Sequence, residues 1–305
     1  MRKLNALNIK EVSHLCKLLG TDQQELTLIL SKLGKFYFQQ IKIVKGKRRH
    51  LASPKGRLKK ILKTLNRYLQ RLILPESIHG GLKGHSNISN AIPHISKSTV
   101  TKLDIKDFFS SVNNRMVYRA FIKLDCSPNV SRMLTSLTTL NGNLPQGSPT
   151  STIVSALVAT PMAKRISRLS DLHDASTTIY IDDITVSGTP RIKKFTNTYE
   201  KIIRQEGFSV NATKKEIIDQ NKEQAVTGVR VNNGLDAPCE KIKSCRQSIE
   251  ALSDTSIDVK RPSEKEINSI RGKINYIRKL NKGAGNSLHQ RLNKQIQNLI
   301  PEGQL

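Results

Sequence analysis

Three aspartates set the first chemical question. The stretch TTIYIDDITVSG, from Thr177 to Gly188, places Asp182 and Asp183 side by side between apolar-rich runs. The stretch VTKLDIKDFF places Asp104 at the end of another such run, between Leu103 and Ile105. An isolated Asp-Asp pair reads as a solvated acidic turn. A third carboxylate in the same kind of setting changes that reading. If the two segments are adjacent strands, Asp104, Asp182 and Asp183 converge at one end of a sheet. Carboxylates gathered this way resist joint ionisation, and a divalent cation removes that problem. Mg²⁺ takes a few carboxylates together with substrate phosphate oxygens. Two such ions about 4 Å apart can activate a 3′-hydroxyl and stabilise a pyrophosphate leaving group. The chemistry indicated is nucleotidyl transfer.

The rest of the composition agrees. The chain has 305 residues, with 51 Lys+Arg against 24 Asp+Glu and a formal net charge of +27. Such a charge attracts polyanions, of which nucleic acid is the commonest. No lipidation signal, secretory h-region or apolar run of about 20 residues is visible, so a cytoplasmic protein with no membrane partner is expected. The four cysteines, Cys16, Cys126, Cys239 and Cys245, match no metal-knuckle spacing and read as thiols in a reducing compartment.

The elements that must position the aspartates follow from periodicity. The first 75 residues read helical, apart from IKIVKGKRRHLASP, which alternates like a strand and becomes densely basic. TDQQELTLILSKLG has Thr21 as a candidate N-cap, an apolar stripe over Leu26, Ile29, Leu30 and Leu33, and Gly34 at a C-cap position. Residues 77–98 are rich in Gly, Ser and Asn and read as loop or broken helix. STVTKLDI reads as a strand, TSTIVSALVATPMAKRI as a helix, FTNTYEKIIRQEG as a helix closed by Gly207, AVTGVRVNNG as a strand with a turn, and the last 65 residues as basic helices. Within TTIYIDDITVSG the expectation is a hairpin with Asp182 and Asp183 as its two loop residues. Ile181 then pairs with Ile184, Tyr180 with Thr185 and Ile179 with Val186, which puts the aliphatic pairs on one face.

Several motifs, in order, carry a family resemblance. Tyr180–Asp183 (YIDD) resembles the Tyr-x-Asp-Asp box of reverse transcriptases. LDIKDFFSSV resembles their first palm motif, and LPQGSPTS resembles the Pro-Gln-Gly motif that opens a palm helix. KGKRRHLASP resembles the basic fingers strand, GFSVNATKK the next palm motif, and SIRGKINYI the start of the thumb. NAIPH and the triplet Val226-Thr227-Gly228 resemble two motifs of bacterial retron reverse transcriptases. The sequence departs from the family pattern at Thr152, which follows Ser151, and at Ile181, where this group often has Ala.

The resemblance implies a set of roles. Asp104, Ile105, Asp182 and Asp183 would form the site for two Mg²⁺ ions, with Asp183 the weaker or outer ligand. Asp107 would start a helix beside the site, and Phe108 would be a core aromatic. Phe109 would form a wall beneath the sugar of the incoming dNTP, and Gln146 with Gly147 would sit beside that nucleotide or the template base. Arg49, with Lys45 or Lys47, would hold the triphosphate. Lys214 could protonate the departing pyrophosphate, although Lys215 is an equally basic neighbour. Asn90, His94, Val226, Thr227 and Gly228 are candidates for recognising RNA, and Asn90 and His94 equally fit a loop held by side-chain to backbone bonds.

The expected fold is α+β: the right-hand polymerase arrangement, with an antiparallel palm sheet plus helices and a helical thumb. The expected division is 1–95 for N-terminal helices and fingers, 96–235 for palm with a fingers return near 110–160, and 236–305 for thumb. The implied activity is RNA-directed DNA synthesis on a cognate noncoding RNA, primed from a guanosine 2′-hydroxyl, giving a branched single-stranded DNA. The implied setting is antiphage defence with an effector protein encoded nearby. The alternatives are an intron-derived or other bacterial reverse transcriptase, an RNA-dependent RNA polymerase, and a non-catalytic RNA-binding scaffold. The chain ends early for an appended nuclease or maturase domain, which weighs against the intron type.

Overall fold

The computed structural model describes residues 4–44, 46–253 and 262–298. The chain separates into two compact units, Met1–Ser86 with Thr99–Ile217, and Asn87–Ser98 with Ile218–Leu305.

The first unit begins with helices α1 (Val12–Leu19) and α2 (Gln23–Ser31), then the hairpin β1 (Tyr37–Val44) and β2 (Lys47–Pro54), then α3 (Gly56–Leu69). The cap of α2 is Asp22, whose carboxylate accepts from Glu25 N–H at 2.8 Å, one residue beyond the expected Thr21. Thr21 instead gives its hydroxyl to the Glu25 side chain, so the Asp takes the backbone donor and the cap sits one residue on. Gly34 lies in a 3-10 turn, Leu33–Phe36. Leu58, Ile61, Leu62, Leu65 and Leu69 place α3 in the core. Each is fully buried, worth roughly 1.5–3 kcal/mol apiece.

Within the stretch read as loop or broken helix, residues 87–98 form a broken helix: α4 (Asn87–Ala91) and a 3-10 turn, Ile92–His94. β3 (Thr99–Asp104) follows, then the short α5 (Phe108–Ser111), α6 (Asn114–Lys123), α7 (Pro128–Thr138) and the long α8 (Ser151–Asp171). The strands β4 (Ser176–Tyr180) and β5 (Asp183–Gly188), helix α9 (Thr196–Gln205) and strand β6 (Glu216–Asp219) complete the sequence around the sheet, whose order is β4-β5-β3-β6. β5 is antiparallel to both β4 and β3. Leu103, Ile179, Ile184 and Val186 are all buried and share the face that covers the core, as the alternation predicts.

The hairpin register differs from the expectation. Tyr180 pairs with Asp183, and Ile179 with Ile184, so the two turn residues are Ile181 and Asp182. The turn has moved one residue toward the N-terminus. That shift keeps Ile179, Ile184 and Val186 on their original face and takes only Ile181 into the turn, so hydrophobic patterning discriminates poorly between the two registers. It moves Asp183 out of the turn and onto the strand.

The second unit holds the hairpin β7 (Ala225–Val226) and β8 (Val229–Arg230) and three helices, α10 (Cys239–Glu250), α11 (Glu264–Leu280) and α12 (Lys282–Asn298). A reciprocal capping box between Ser263 and Glu266 starts α11, and Ile270, Ile274 and Ile277 line its buried stripe. No helix among the described residues is long and apolar enough to cross a membrane.

Candidate active site

The sheet brings the aspartates together at one end. Asp104 is the last residue of β3 and sits directly opposite Asp183, the first residue of β5. Asp182 lies in the turn between β4 and β5, and its carbonyl accepts from Ile105 N–H at 3.0 Å, which fastens the turn to the end of β3. The side chain of Ile105 is buried, so any part it takes in binding a cation falls to its main-chain carbonyl.

The electrostatics of the cluster are strained. Loss of hydration pushes the Asp182 carboxyl up, the charge of Asp104 adds to this, and Lys214 and Arg49 oppose it. Loss of hydration, then the charges of Asp182 and Asp104, pushes Asp183 up to about 6, although its side chain still reaches solvent. Asp104 is buried and neutralised locally: Lys214 Nζ donates to Oδ2 at 2.6 Å, and Asn211 Nδ2 donates to Oδ1 at 3.1 Å. Asp104 in turn holds Lys214 above the ordinary lysine range, so this side chain keeps its proton at neutral pH, as a general acid must. Lys215 turns away and pairs with Glu200 Oε1 at 2.9 Å. Sequence alone leaves these two lysines open; the structure places only Lys214 at the aspartates.

Among the described residues no three His, Cys, Asp or Glu side chains already close around a common point. The donor set nevertheless fits a hard divalent cation. Two carboxyls are pushed up by loss of hydration and by their neighbours' negative charge, which a bound cation would offset, and the third is satisfied by an ammonium group that a cation could replace.

The turn itself is unusual. Ile181 has φ of +63°, a left-handed conformation that a β-branched residue adopts at a cost of roughly 1–3 kcal/mol. It directs the next two residues, which are both aspartates.

Around the cluster, Asp107 is the N-cap of α5, itself left-handed at φ +50° and without a side-chain cap bond. Phe108 is buried and packs on Phe208, ring centroids 5.4 Å apart. Phe109 is half-buried, its ring centroid 6.0 Å from that of Phe108. The Gln146 carbonyl accepts from Ala52 N–H at 2.7 Å, joining β2 to the turn before α8. Gly147 has φ of +118°, and a Cβ there would stand 3.0 Å from the Ala52 carbonyl oxygen, so only glycine lets the two backbones approach this closely. Arg49 lies on β2 opposite Lys42 and is near enough to favour the charged form of Asp182. Lys45 lies outside the described residues, as does the side chain of Lys47.

Asn211 escapes motif reasoning. Its N–H donates to the Asp104 carbonyl at 2.8 Å while its side chain holds Asp104 Oδ1. The available signal is its position three residues before Lys214, in GFSVNATKK.

The other motif residues meet in the second unit. Asn90, His94 and Val226 are buried. Asn90 Nδ2 donates to Thr227 Oγ1 at 3.3 Å, and Thr227 Oγ1 donates to the Asn87 carbonyl at 3.0 Å. Asn87 Nδ2 reaches Tyr276 Oη at 2.6 Å. These bonds hold a bend in which Thr227 has φ +46° and Gly228 φ +76°. The Gly228 carbonyl accepts from Lys241 Nζ at 2.9 Å, and that ammonium lies 4.7 Å from the Tyr276 ring centroid. NAIPH thus supports the Val-Thr-Gly bend from within.

Comparison with known proteins shows what the chain is similar to. Residues 40–231 match the family described as reverse transcriptase (RNA-dependent DNA polymerase). The chain is 30% identical over 246 residues to the retron Se72 reverse transcriptase of Salmonella heidelberg, an alignment spanning 76% of this chain and 65% of the relative. It is 30% identical over 229 residues to the retron Mx162 reverse transcriptase of Myxococcus xanthus, spanning 65% of this chain and 47% of the relative. The chain therefore spans between about half and two thirds of the length of these relatives. Among solved structures, telomerase from Candida albicans in complex with a telomeric RNA fragment is similar with a TM-score of 0.47 at 12% identity, over 88% of this chain and 59% of that one.

Proposed function

The chain belongs to the reverse transcriptase family, and from that premise we propose that it is the RNA-directed DNA polymerase of a retron. The observation that carries the chemistry is the carboxylate cluster: Asp104 opposite Asp183, with Asp182 in the turn and Lys214 on Asp104. In this reading Asp104, Asp182, Asp183 and the Ile105 main chain hold two Mg²⁺ ions. When bound, these supply charge that activates the primer hydroxyl and stabilises the leaving pyrophosphate. Lys214 exchanges Asp104 for the departing pyrophosphate and gives it a proton. Arg49, with Lys47, grips the triphosphate; an Arg fork can hold two phosphate oxygens at once. Phe109 stands beneath the sugar and selects dNTPs, while Gln146 and Gly147 line the base side. The regions act as fingers (1–95), palm (96–235, with a fingers return) and thumb (236–305).

The relatives' names motivate the retron assignment. We infer a cognate noncoding RNA as template, a guanosine 2′-hydroxyl as primer and a branched single-stranded DNA as product. The setting is antiphage defence in the cytoplasm, with a nearby effector protein as partner. The burial of Asn90, His94 and Val226 favours a framework role for them in RNA recognition, the contacts falling to exposed groups around the Thr227–Gly228 bend.

The test is a denaturing gel of small nucleic acids from cells expressing the gene with its native upstream DNA, with and without RNase and a 2′,5′-debranching enzyme, beside Asp182→Ala. A discrete DNA band that shifts on debranching and is lost in the variant is expected. DNA without a branch would remove the retron assignment. Intact noncoding RNA bound to the protein, with no DNA in either strain, would point to the scaffold.

A further inference from the structure

The segment Ser77–Gly81 carries none of the roles above, yet it touches the catalytic turn. It runs along β4, an edge strand of the sheet. Ile179 N–H donates to the Ser77 carbonyl at 2.6 Å, and the N–H groups of His79 and Gly80 converge on the Ile179 carbonyl at 2.8 and 3.3 Å. Ile78 forms a parallel bridge with Ile179. The segment so covers the edge of β4 and ends in two glycines.

Those glycines meet different partners. A Cβ on Gly80 would stand 2.1 Å from Ile181 N and 2.7 Å from Tyr180 C, both main-chain atoms of the turn region. A Cβ on Gly81, where φ is +72°, would stand 2.0 Å from Thr152 Cγ2, in the first turn of α8. One glycine therefore rests on the backbone that leads into Asp182, and the next on the start of the palm helix. The space left between them is a cavity of about 10 Å³, bordered by Gly80, Thr152, Ile179 and Ile181, at the lower limit for a single water. Thr152 and Ile181, the two residues that depart from the family pattern, border the same small space. A left-handed β-branched residue persists only where its surroundings leave it no alternative, and Gly80 is the contact that does this for Ile181.

We propose that Gly80 and Gly81 are positioning residues that clamp the Tyr180–Asp183 turn to α8, fixing the direction of Asp182 and Asp183 and coupling residue 181 to residue 152. The proposal rests on the polymerase reading. Neither glycine touches substrate; both act through the turn.

The test uses the full chain with two readouts: Mn²⁺ binding to the protein alone, followed by electron paramagnetic resonance, and single-dNTP incorporation on an RNA template as a function of metal concentration. Gly80→Ala is expected to weaken Mn²⁺ binding at least tenfold and to raise the metal concentration for half-maximal incorporation by a similar factor, with an unchanged circular dichroism spectrum. Ile181→Ala in that background restores nothing, because the nearest clash is with main chain. Gly81→Ala meets a side-chain methyl, so Thr152→Ser is expected to recover at least half of its loss; the positive φ at Gly81 limits the recovery. Wild-type Mn²⁺ binding in Gly80→Ala, or no recovery in Gly81→Ala/Thr152→Ser, would overturn the clamp. If Gly80→Ala does not fold, the Gly81 pair decides. A wild-type protein that incorporates no nucleotide would sink the polymerase reading, while the Mn²⁺ contrast would still decide the clamp.

Discussion

Two bends carry the motifs of this chain, and each turns on a β-branched residue in the left-handed region: Ile181 at φ +63° and Thr227 at φ +46°. They are held by opposite means. The bend at Ile181 is held sterically, by a glycine backbone with no room for a Cβ. It delivers two carboxyls whose pKa values are raised. The bend at Thr227 is held by hydrogen bonds from Asn90, which is buried, Asn87, which is half-buried, and Lys241, which is exposed. The first bend stores unsatisfied charge at a place where a cation and a phosphate can satisfy it. The second is fixed in shape by hydrogen bonds within the fold. The motif proposed for catalysis and the motif proposed for RNA recognition therefore differ in what holds them, a steric contact in the first and hydrogen bonds in the second.

The largest expected effect sharpens the catalytic side. Asp182→Asn should lower nucleotide incorporation by at least about a thousandfold, since metal-borne charge stabilisation is worth several kcal/mol. Lys214→Ala should cost roughly 10²–10⁴-fold in incorporation rate, the usual range for a general acid. Lys215→Ala, which loses only the pair with Glu200, should stay within a few-fold. Equal losses in the two lysine variants, measured by rapid quench, would break the assignment.

The recognition side should respond in stability. Asn90→Ala removes a buried amide and leaves the half-buried Thr227 hydroxyl short of a bond, and should destabilise by about 1–3 kcal/mol, read as a lower denaturation midpoint, with weaker binding of the cognate RNA. Unchanged stability with lost binding would mean that Asn90 contacts RNA directly.

The smallest effect is on pH. A carboxyl raised to about 6 in the fold favours the protonated form, so its stabilising contribution is present at low pH and is lost as pH rises through about 6. The metal-free protein should therefore melt lower at about pH 7 than at about pH 5 on account of this group. Asp183→Asn should flatten that dependence. Added Mg²⁺, which needs the ionised form, should stabilise the wild type increasingly over the same interval.

Much of this was legible in the sequence, and what was not has identifiable physical reasons. The strand carrying Asp104, the long helix after Pro-Gln-Gly and the hairpin at YIDD follow from alternation and 3.6-residue spacing. The hairpin register was not, because sliding the turn by one residue leaves Ile179, Ile184 and Val186 on the same face. Lys214 and Lys215 are chemically alike in sequence and differ only in which acid the chain turns them toward. The burial of Asn90 and His94 was hidden because polar residues in a Gly- and Asn-rich stretch look like solvated loop. Asn211 and the glycine pair at 80 and 81 act through atoms that no motif names.

The most direct measurement is primer extension by the purified chain on an RNA template with dNTPs and Mg²⁺, comparing the wild type with Asp182→Asn at matched melting temperatures. Extension that depends on RNA template and Mg²⁺ and disappears in the folded variant is the predicted result. Extension that survives in Asp182→Asn would contradict the assignment of chemistry to the carboxylates at the ends of β3 and β5.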